Sequence, residues 1–295
     1  MAVGRVVLVA GILILLFIPY LLWGTGLMTA RSQSLLRSEF GANQHASGSV
    51  VVNRPPSPAT PPAPQLAATM PDPAVGAAVG IISIPKIGLS MVVVEGTGEA
   101  QLQQGPGHYP GTPMPGEAGN SAIAGHRTTY LHPFYSIDAL APGDPITLTT
   151  LQGVFVYNVT GNQVVDPTDV GVVGPTATPQ LTLTTCNPRY SAAQRLVVHA
   201  LLVASTLTHP VVVPVATTTK HHTAAPPPPP SQTRRWVTAV LWGVAVAVLI
   251  SAVWVAARRT HRMNRAGIIV GGLLAWLAVV FFFFEAVAPL LPASY

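Results

Sequence analysis

The single cysteine, Cys186, is the residue of this sequence best suited to nucleophilic chemistry. It ends the run LTLTTC, whose alternating residue types predict a β-strand with Thr184 and Cys186 on the same face. Asn187 and Pro188 follow, and proline rarely continues a central strand, so the thiol is expected where a strand becomes a loop. Rigid scaffolds often present reactive groups at such places. The alternative is a buried cysteine that only fills space.

Two other side chains have the chemistry that a cysteine nucleophile needs. Arg195 opens the next predicted strand after the connection NPRYSAAQ, so a hairpin would bring its guanidinium near Cys186 to favour the thiolate and bind an oxyanion. His126 ends the run SAIAGH, and its imidazole suits proton transfer near neutral pH. The alternative for Arg195 is a surface charge at a strand edge.

The remaining histidines are weaker candidates. His199 lies inside the run RLVVHALLV and is predicted to be a structural strand residue. His108 and His132 lie beside prolines in predicted loops, where solvated side chains are expected, although both are close enough to the motifs to line a groove. Since no His, Cys, Asp and Glu residues have a recognisable metal spacing, we expect no metal and no cofactor. One cysteine also excludes a disulfide within the chain.

Residues 79–208 are predicted to form the domain that positions these groups. This segment consists of short runs rich in Val, Ile, Leu and Thr, separated by Gly and Pro, without a long helical period. Seven or eight such strands indicate an all-β fold, either a sandwich or a closed barrel. A short helix is expected around AQLQQGPG.

The flanking segments have a different composition. Only 8% of the residues are charged and 49% are hydrophobic, and three apolar runs at 6–28, 236–257 and 266–291 predict transmembrane helices. The expected organisation is an anchor over 1–30, a Pro/Ala-rich spacer over 31–78, a second Pro-rich spacer over 209–233, and two transmembrane helices over 234–295. A cleaved signal peptide is the alternative for the first run.

The arginines predict the topology of the chain. Four of them fall in the segment RRTHRMNR at 258–265, and short Arg-rich loops stay on the cytoplasmic side of a membrane. The prediction is therefore a multi-pass protein of the cell membrane with residues 79–208 outside the cell. Because this cluster accounts for much of the net charge of +5, we expect no nucleic-acid partner.

Taken together, the motifs resemble the sortase family of cysteine transpeptidases. The resemblance rests on AGHR at 124–127, on TLTTC at 182–186 and on Arg195 opening RLVVHA, and it covers roughly residues 80–205. With GHYPGT at 107–112 and IAGHRTTY at 123–130, the sequence is most similar to the class E sortases of actinobacteria.

This resemblance implies an eight-stranded β-barrel in which Cys186 attacks the Thr–Gly bond of a C-terminal sorting signal on a surface protein. The resulting acyl-enzyme is resolved by an amine of the peptidoglycan cross-bridge or of its lipid-linked precursor. Class E membership implies LAxTG-type signals in preference to LPxTG, with Tyr109 at the position linked to that preference. Thr185 matches a residue that supports the oxyanion, and Arg127 is assigned to substrate binding.

Two other functions are compatible with the residues alone. One is an extracellular adhesion or binding module, in which a β-domain stands on a Pro-rich stalk. The other is a cysteine peptidase that only hydrolyses its substrate.

Overall fold

Alternating apolar and polar residues form eight strands, since alternation buries one face of each strand. The computed structural model describes residues 11–13, 15–17, 20, 24–46, 64–69, 72–207, 232–259 and 262–287. The strands are β1 (Ala78–Ile84), β2 (Leu89–Glu95), β3 (Gly107–His108), β4 (Asn120–Ala124), β5 (Pro145–Thr150), β6 (Gly153–Val165), β7 (Gln180–Asn187) and β8 (Gln194–Leu207). They close into a barrel in the order β1-β2-β3-β4-β7-β8-β6-β5, which confirms the predicted eight-stranded barrel.

The interior of the barrel is the main hydrophobic core. Ile82 of β1, Leu148 of β5 and Phe155 of β6 are completely buried there, together with Leu181 and Leu183 of β7. The predicted alternation in β7 is therefore observed, because its leucines point inward. Thr182, Thr184 and Cys186 belong to the opposite, outer face of the barrel.

Strand β7 has a different kind of partner on each side. On one side it runs parallel to β4, with Ala124 opposite Thr184. On the other side it runs antiparallel to β8, which follows it directly in the chain. A parallel pair needs a long crossover, so β4 and β7 bring together segments that are far apart in sequence.

Within the described residues, four α-helices with defined bounds lie outside the barrel strands. They are α1 (Thr25–Ala46), α2 (Glu99–Leu102), α3 (Gln232–Arg259) and α4 (Arg262–Val287). The short helix α2 falls in the segment where the sequence predicts one. Helix α1 crosses the predicted boundary between anchor and spacer at residues 30 and 31. Much of the rest of that spacer lies outside the described residues, as does almost all of the second spacer at 209–233.

Helix α1 packs against the β2 side of the barrel. The side chain of Gln33 donates to Val92 O at 3.0 Å and accepts from Val92 N at 2.7 Å. Val92 pairs with Ile81 of β1 on one side, while on its other side β2 pairs with β3 only at Val94 and Glu95. The amide of Gln33 takes the place of a strand on that side, and Thr29 adds a hydrogen bond to Gln103 O at 2.8 Å.

The prediction of transmembrane helices is wrong for the residues that the structure describes. A crossing helix needs about 20 consecutive, mostly apolar residues. In the described ranges no helix meets the requirements of length and apolarity together. Much of the first predicted span, at 6–28, lies outside the described residues.

The chain divides into two compact units, of which the barrel and nearly all of α1 form one, from Gly26 to Pro227. Helices α3 and α4 belong to the other. Within it, Trp242 of α3 and Phe282 of α4 stack with their ring centroids 5.2 Å apart.

Candidate active site

Cys186 is the penultimate residue of β7, and it lies directly opposite Arg195 in the antiparallel register of β7 and β8. Residues opposite each other in such a pair project from the same face of a sheet, so thiol and guanidinium share the outer face. Arg195 is half-buried, and its Nη1 donates to Ala192 O and to Gln194 O, both at 3.1 Å. The hairpin expected from the sequence is therefore present.

His126 reaches the same end of the barrel through β4. Gly125 N donates to Thr184 O at 3.1 Å, which extends the parallel β4–β7 register by one residue beyond Ala124. His126 follows Ala124 by two residues, as Cys186 follows Thr184 by two residues, so both lie at the same end of the β4–β7 pair. The imidazole is 8% exposed, and the ring of Tyr130 packs against it with the centroids 4.8 Å apart.

Burial determines the resting protonation of this pair. It lowers the pKa of His126 to about 4, because the charged imidazolium loses its hydration. It also raises the pKa of the Cys186 thiol, and the positive charges of Arg195 and Arg127 offset only part of that rise. Near neutral pH the ligand-free site therefore holds a thiol and a neutral imidazole, which can accept the thiol proton as the sulfur attacks.

Tyr109 lies on the outer face beside the cysteine strand. Its hydroxyl is 3.0 Å from Thr184 Oγ1, and Thr184 precedes Cys186 by two residues on the same face of β7. Tyr109 N donates to Ala122 O at 2.9 Å, which holds the residue against β4. An aromatic side chain fixed at this point can line a groove that leads to the thiol.

Thr185 has a different orientation. Its buried side chain lies on the opposite face of β7 from Cys186, and its hydroxyl donates to Gly125 O at 2.7 Å. This bond joins the cysteine strand to the residue before His126. The hydroxyl hydrogen is engaged with a carbonyl oxygen, so the oxyanion role predicted for Thr185 requires this bond to be exchanged.

Arg127 is 5% exposed and turns its guanidinium toward the end of β7. Its Nη1 donates to Cys186 O at 3.0 Å and to Asn187 Oδ1 at 2.7 Å, and its Nη2 lies 3.2 Å from an oxygen of Asp138. These contacts hold the backbone of the cysteine itself. The predicted substrate-binding role of Arg127 stays a prediction, and its observed contacts are with the protein.

A buried hydrogen bond between a histidine and a glutamate, which the sequence analysis missed, supports the Tyr109 segment. His108 is completely buried, which differs from the expected solvated loop residue, and its Nδ1 lies 2.8 Å from Glu95 Oε2. Its Nε2 lies 3.1 Å from both Pro113 O and Thr112 Oγ1. The signal in the sequence is one carboxylate that ends the apolar run MVVV, because a charge at such a position needs a partner.

His199 and His132, the remaining candidate histidines, have other partners among the described residues. His199 is half-buried in β8, with Nδ1 at 3.1 Å from both Gln180 Nε2 and Thr182 Oγ1, as suits a structural residue. His132 is exposed and packs against the ring of Tyr135, 5.4 Å between centroids. In the part of the chain that the structure describes, no group of three or more His, Cys, Asp and Glu residues is arranged to hold a metal ion.

Several known proteins have sequences similar to this chain. A family model described as the sortase domain matches residues 82–203. The chain is 32% identical over 217 residues to sortase SrtE1 of Streptomyces coelicolor, covering 67% of this chain and 55% of that protein. It is 36% identical over 117 residues to sortase D of Bacillus subtilis, covering 39% and 58% respectively. The chain thus spans little more than half the length of these curated relatives.

Solved structures give a further comparison. The structure of sortase E from Streptomyces avermitilis has 38% sequence identity and a TM-score of 0.42, and the match covers 45% of this chain and 92% of that one. The residues that the family model matches include His126, Cys186 and Arg195. The chain therefore belongs to the sortase family.

Proposed function

We propose that this chain is a sortase that cleaves the Thr–Gly bond of a C-terminal LAxTG-like or LPxTG-like sorting signal and transfers the protein to a cell-wall amine. The observation that carries the proposal is the register of β7, which pairs Cys186 with Arg195 on one side and extends toward His126 on the other. The nucleophile and the cation thus come from the adjacent strands β7 and β8, and the proton carrier comes from the loop that follows β4.

The first half of the reaction forms a thioester. The Cys186 sulfur attacks the threonine carbonyl carbon while the neutral imidazole of His126 takes the thiol proton. The negative charge that develops on the carbonyl oxygen is stabilised by the Arg195 guanidinium. As the carbon–nitrogen bond breaks, His126 returns the proton to the glycine amine, which departs.

The second half consumes the thioester. A primary amine of the cell wall attacks the same carbonyl carbon, His126 accepts the amine proton, and the thiolate leaves and is reprotonated. Because the reaction is an exchange of one amide for another, it needs no cofactor. Water competes with the amine for the thioester, so hydrolysis is the expected side reaction.

The central test is a peptide cleavage assay with the full-length chain. Fluorogenic peptides containing LAxTG or LPxTG are expected to be cleaved between Thr and Gly, and the Cys186→Ala variant is expected to be inactive. Cleavage retained in that variant would contradict the proposal. Adding a short glycine peptide as the amine should give a ligated product by mass spectrometry, whereas hydrolysis alone with every amine would indicate a peptidase.

We also propose a class E signal preference in which Tyr109 contributes to the choice between LAxTG and LPxTG. Support comes from its hydroxyl contact with Thr184, on the cysteine-bearing face of β7. The Tyr109→Phe variant removes that hydroxyl and keeps the ring. Its ratio of kcat/KM values for the two peptides should differ from the wild-type ratio, and an unchanged ratio argues against this role.

The catalytic domain is proposed to work outside the cell, since the acceptor amines of the cell wall are there. A membrane-impermeant maleimide added to intact cells should label Cys186 slowly, because the thiol is mostly buried. The Cys186→Ala variant controls for reaction elsewhere. Labelling that appears only after lysis would contradict the proposed location.

A further inference from the structure

Two loops of the barrel lie beside the groups that must react together, and charged side chains connect one loop to the other. The β4–β5 connection begins with Gly125 and His126, and the β7–β8 connection follows Cys186. Arg127, in the first loop, bonds the carbonyl oxygen of Cys186 and the side chain of Asn187. The residue next to the imidazole thus holds the backbone of the nucleophile.

A second arginine reaches from the β7–β8 connection to the β4–β5 connection. Arg189 belongs to the β7–β8 connection, and its Nη2 donates to both carboxylate oxygens of Asp138, at 2.9 Å each. Its Nε donates to Tyr135 O at 3.2 Å, and its guanidinium lies 4.5 Å from the centroid of the Tyr135 ring. Tyr135 and Asp138 are both part of the β4–β5 connection.

Asp138 contacts both arginines. It accepts from Arg189 and also lies 3.2 Å from Arg127 Nη2, so one carboxylate faces two guanidinium groups. Arg127 is buried, and a buried cation without a counter-ion would be strongly unfavourable. Asp138 and Arg189 are both more than a third exposed, so their pair contributes little to the stability of the fold.

We propose that Arg127, Asp138 and Arg189 form a positioning network that sets the distance and orientation of Cys186 relative to His126. This inference rests on the proposed function for its catalytic consequence. None of the three acts on the reacting bond; they act through the backbone of Cys186 and the loop that follows His126. Charge-assisted hydrogen bonds suit this role because they are short and directional.

The expected consequence is a loss of turnover rather than of substrate affinity. Small misplacement of reacting groups lowers a rate steeply, so Asp138→Asn and Arg189→Gln should each lower kcat about tenfold while KM changes by less than about twofold. Arg189→Lys, which keeps the charge but loses the forked donors, should recover only part of the rate. The assay is cleavage of the LAxTG or LPxTG peptide by the full-length chain.

The matched control is Asp144→Asn. Asp144 forms another partly exposed ion pair, with Lys86 at 2.6 Å, which joins the β1–β2 turn to the start of β5. Its loss should leave kcat unchanged. If the control lowers kcat as much as the network variants do, the effect is a general one of lost surface pairs, and the inference is overturned.

A second measurement separates this inference from the proposed function. The alkylation rate of Cys186 by iodoacetamide depends on thiol activation by His126 and needs no sorting signal. The network variants should alkylate several-fold more slowly than wild type, while Asp144→Asn should match it. Slower alkylation without peptide cleavage by wild type would support the network and contradict the function. Unchanged alkylation and unchanged kcat in both network variants overturn the inference.

Discussion

At the scale of single residues, burial moves the titrations of His126 and Cys186 in opposite directions. The imidazole has its pKa lowered to about 4, and the thiol has its pKa raised, in both cases mainly by loss of hydration. The pair therefore holds a single proton over a wide pH range. That singly protonated form is the one that attacks, whichever atom carries the proton.

We expect a broad pH profile for kcat/KM as a result. Activity should rise on an acid limb near pH 4, as His126 loses its proton, and fall only above the ordinary pKa of a thiol. The measurement is peptide cleavage across the pH range at constant ionic strength. Burial also lowers the pKa of His199, so the His199→Gln variant is the control. It should keep the same acid limb, because His199 does not belong to the candidate pair. An acid limb at about 6.5 or above would contradict the prediction.

Arg195 tests whether charge alone is sufficient at this site. Arg195→Lys keeps a cation but loses the planar, forked guanidinium whose Nη1 bonds Ala192 O and Gln194 O, so kcat/KM should fall about tenfold to a hundredfold. Arg37→Lys is the control, since Arg37 bonds Ser90 on the β2 side of the barrel. Near-wild-type turnover by Arg195→Lys would rule out the oxyanion role.

At the scale of elements, helix α1 completes a strand edge that the barrel leaves open. Gln33 is buried and bonds both backbone groups of Val92, and it also donates to Gln104 O at 2.9 Å. An amide side chain has a donor and an acceptor at the right spacing to imitate a neighbouring strand. The helix is thereby part of the fold of the catalytic domain rather than a spacer before it.

Gln33→Leu should therefore destabilise the barrel measurably. It leaves Val92 N and O without partners, which costs about 2–4 kcal/mol in the free energy of unfolding. Amide hydrogen exchange followed by mass spectrometry should show faster exchange in β2, and urea unfolding followed by circular dichroism should show the lost stability. Ser34→Ala, whose hydroxyl bonds only Arg31 O on the exposed side of α1, is the control. Equal protection of β2 in both variants would exclude this role for Gln33.

At the scale of the whole molecule, the buried neutral imidazole makes stability depend on pH. Unfolded histidine takes up its proton near pH 6.5, whereas folded His126 does so only near pH 4. Between these values the unfolded state binds more protons, so stability rises with pH and is lost as the pH falls. His199 acts in the same direction, because burial also lowers its pKa.

We expect acidification from pH 6.5 to pH 4 to lower the free energy of unfolding by an amount on the order of 3 kcal/mol through His126. The measurement is urea unfolding at a series of pH values for wild type and His126→Asn. The variant should show a smaller slope over this interval because it lacks the titrating group. Identical slopes would mean that the imidazole is hydrated in the folded protein.

Much of the local arrangement follows from the sequence. Alternation in LTLTTC predicts that Cys186 faces outward at a strand end, and the short connection to the next strand predicts that Arg195 lies opposite it. Both predictions depend only on near neighbours in the chain. Apolar content was a poorer guide, since the helices of the described residues do not meet the requirements for a membrane span.

Other features depend on contacts between distant segments. The parallel pairing of β4 with β7 brings His126 and Cys186 to the same end of the barrel across 60 residues of chain, and no local pattern encodes that register. Local patterns also do not identify the partner of a buried polar side chain. The contact of Glu95 with His108, and that of Arg127 with the Cys186 carbonyl oxygen, are therefore known only from the folded chain. The sequence by itself determined which residues carry the chemistry and on which strand faces they lie. Only the tertiary structure decided how those strands meet, because a closed barrel satisfies its backbone hydrogen bonds and its core packing in one register for all strands together.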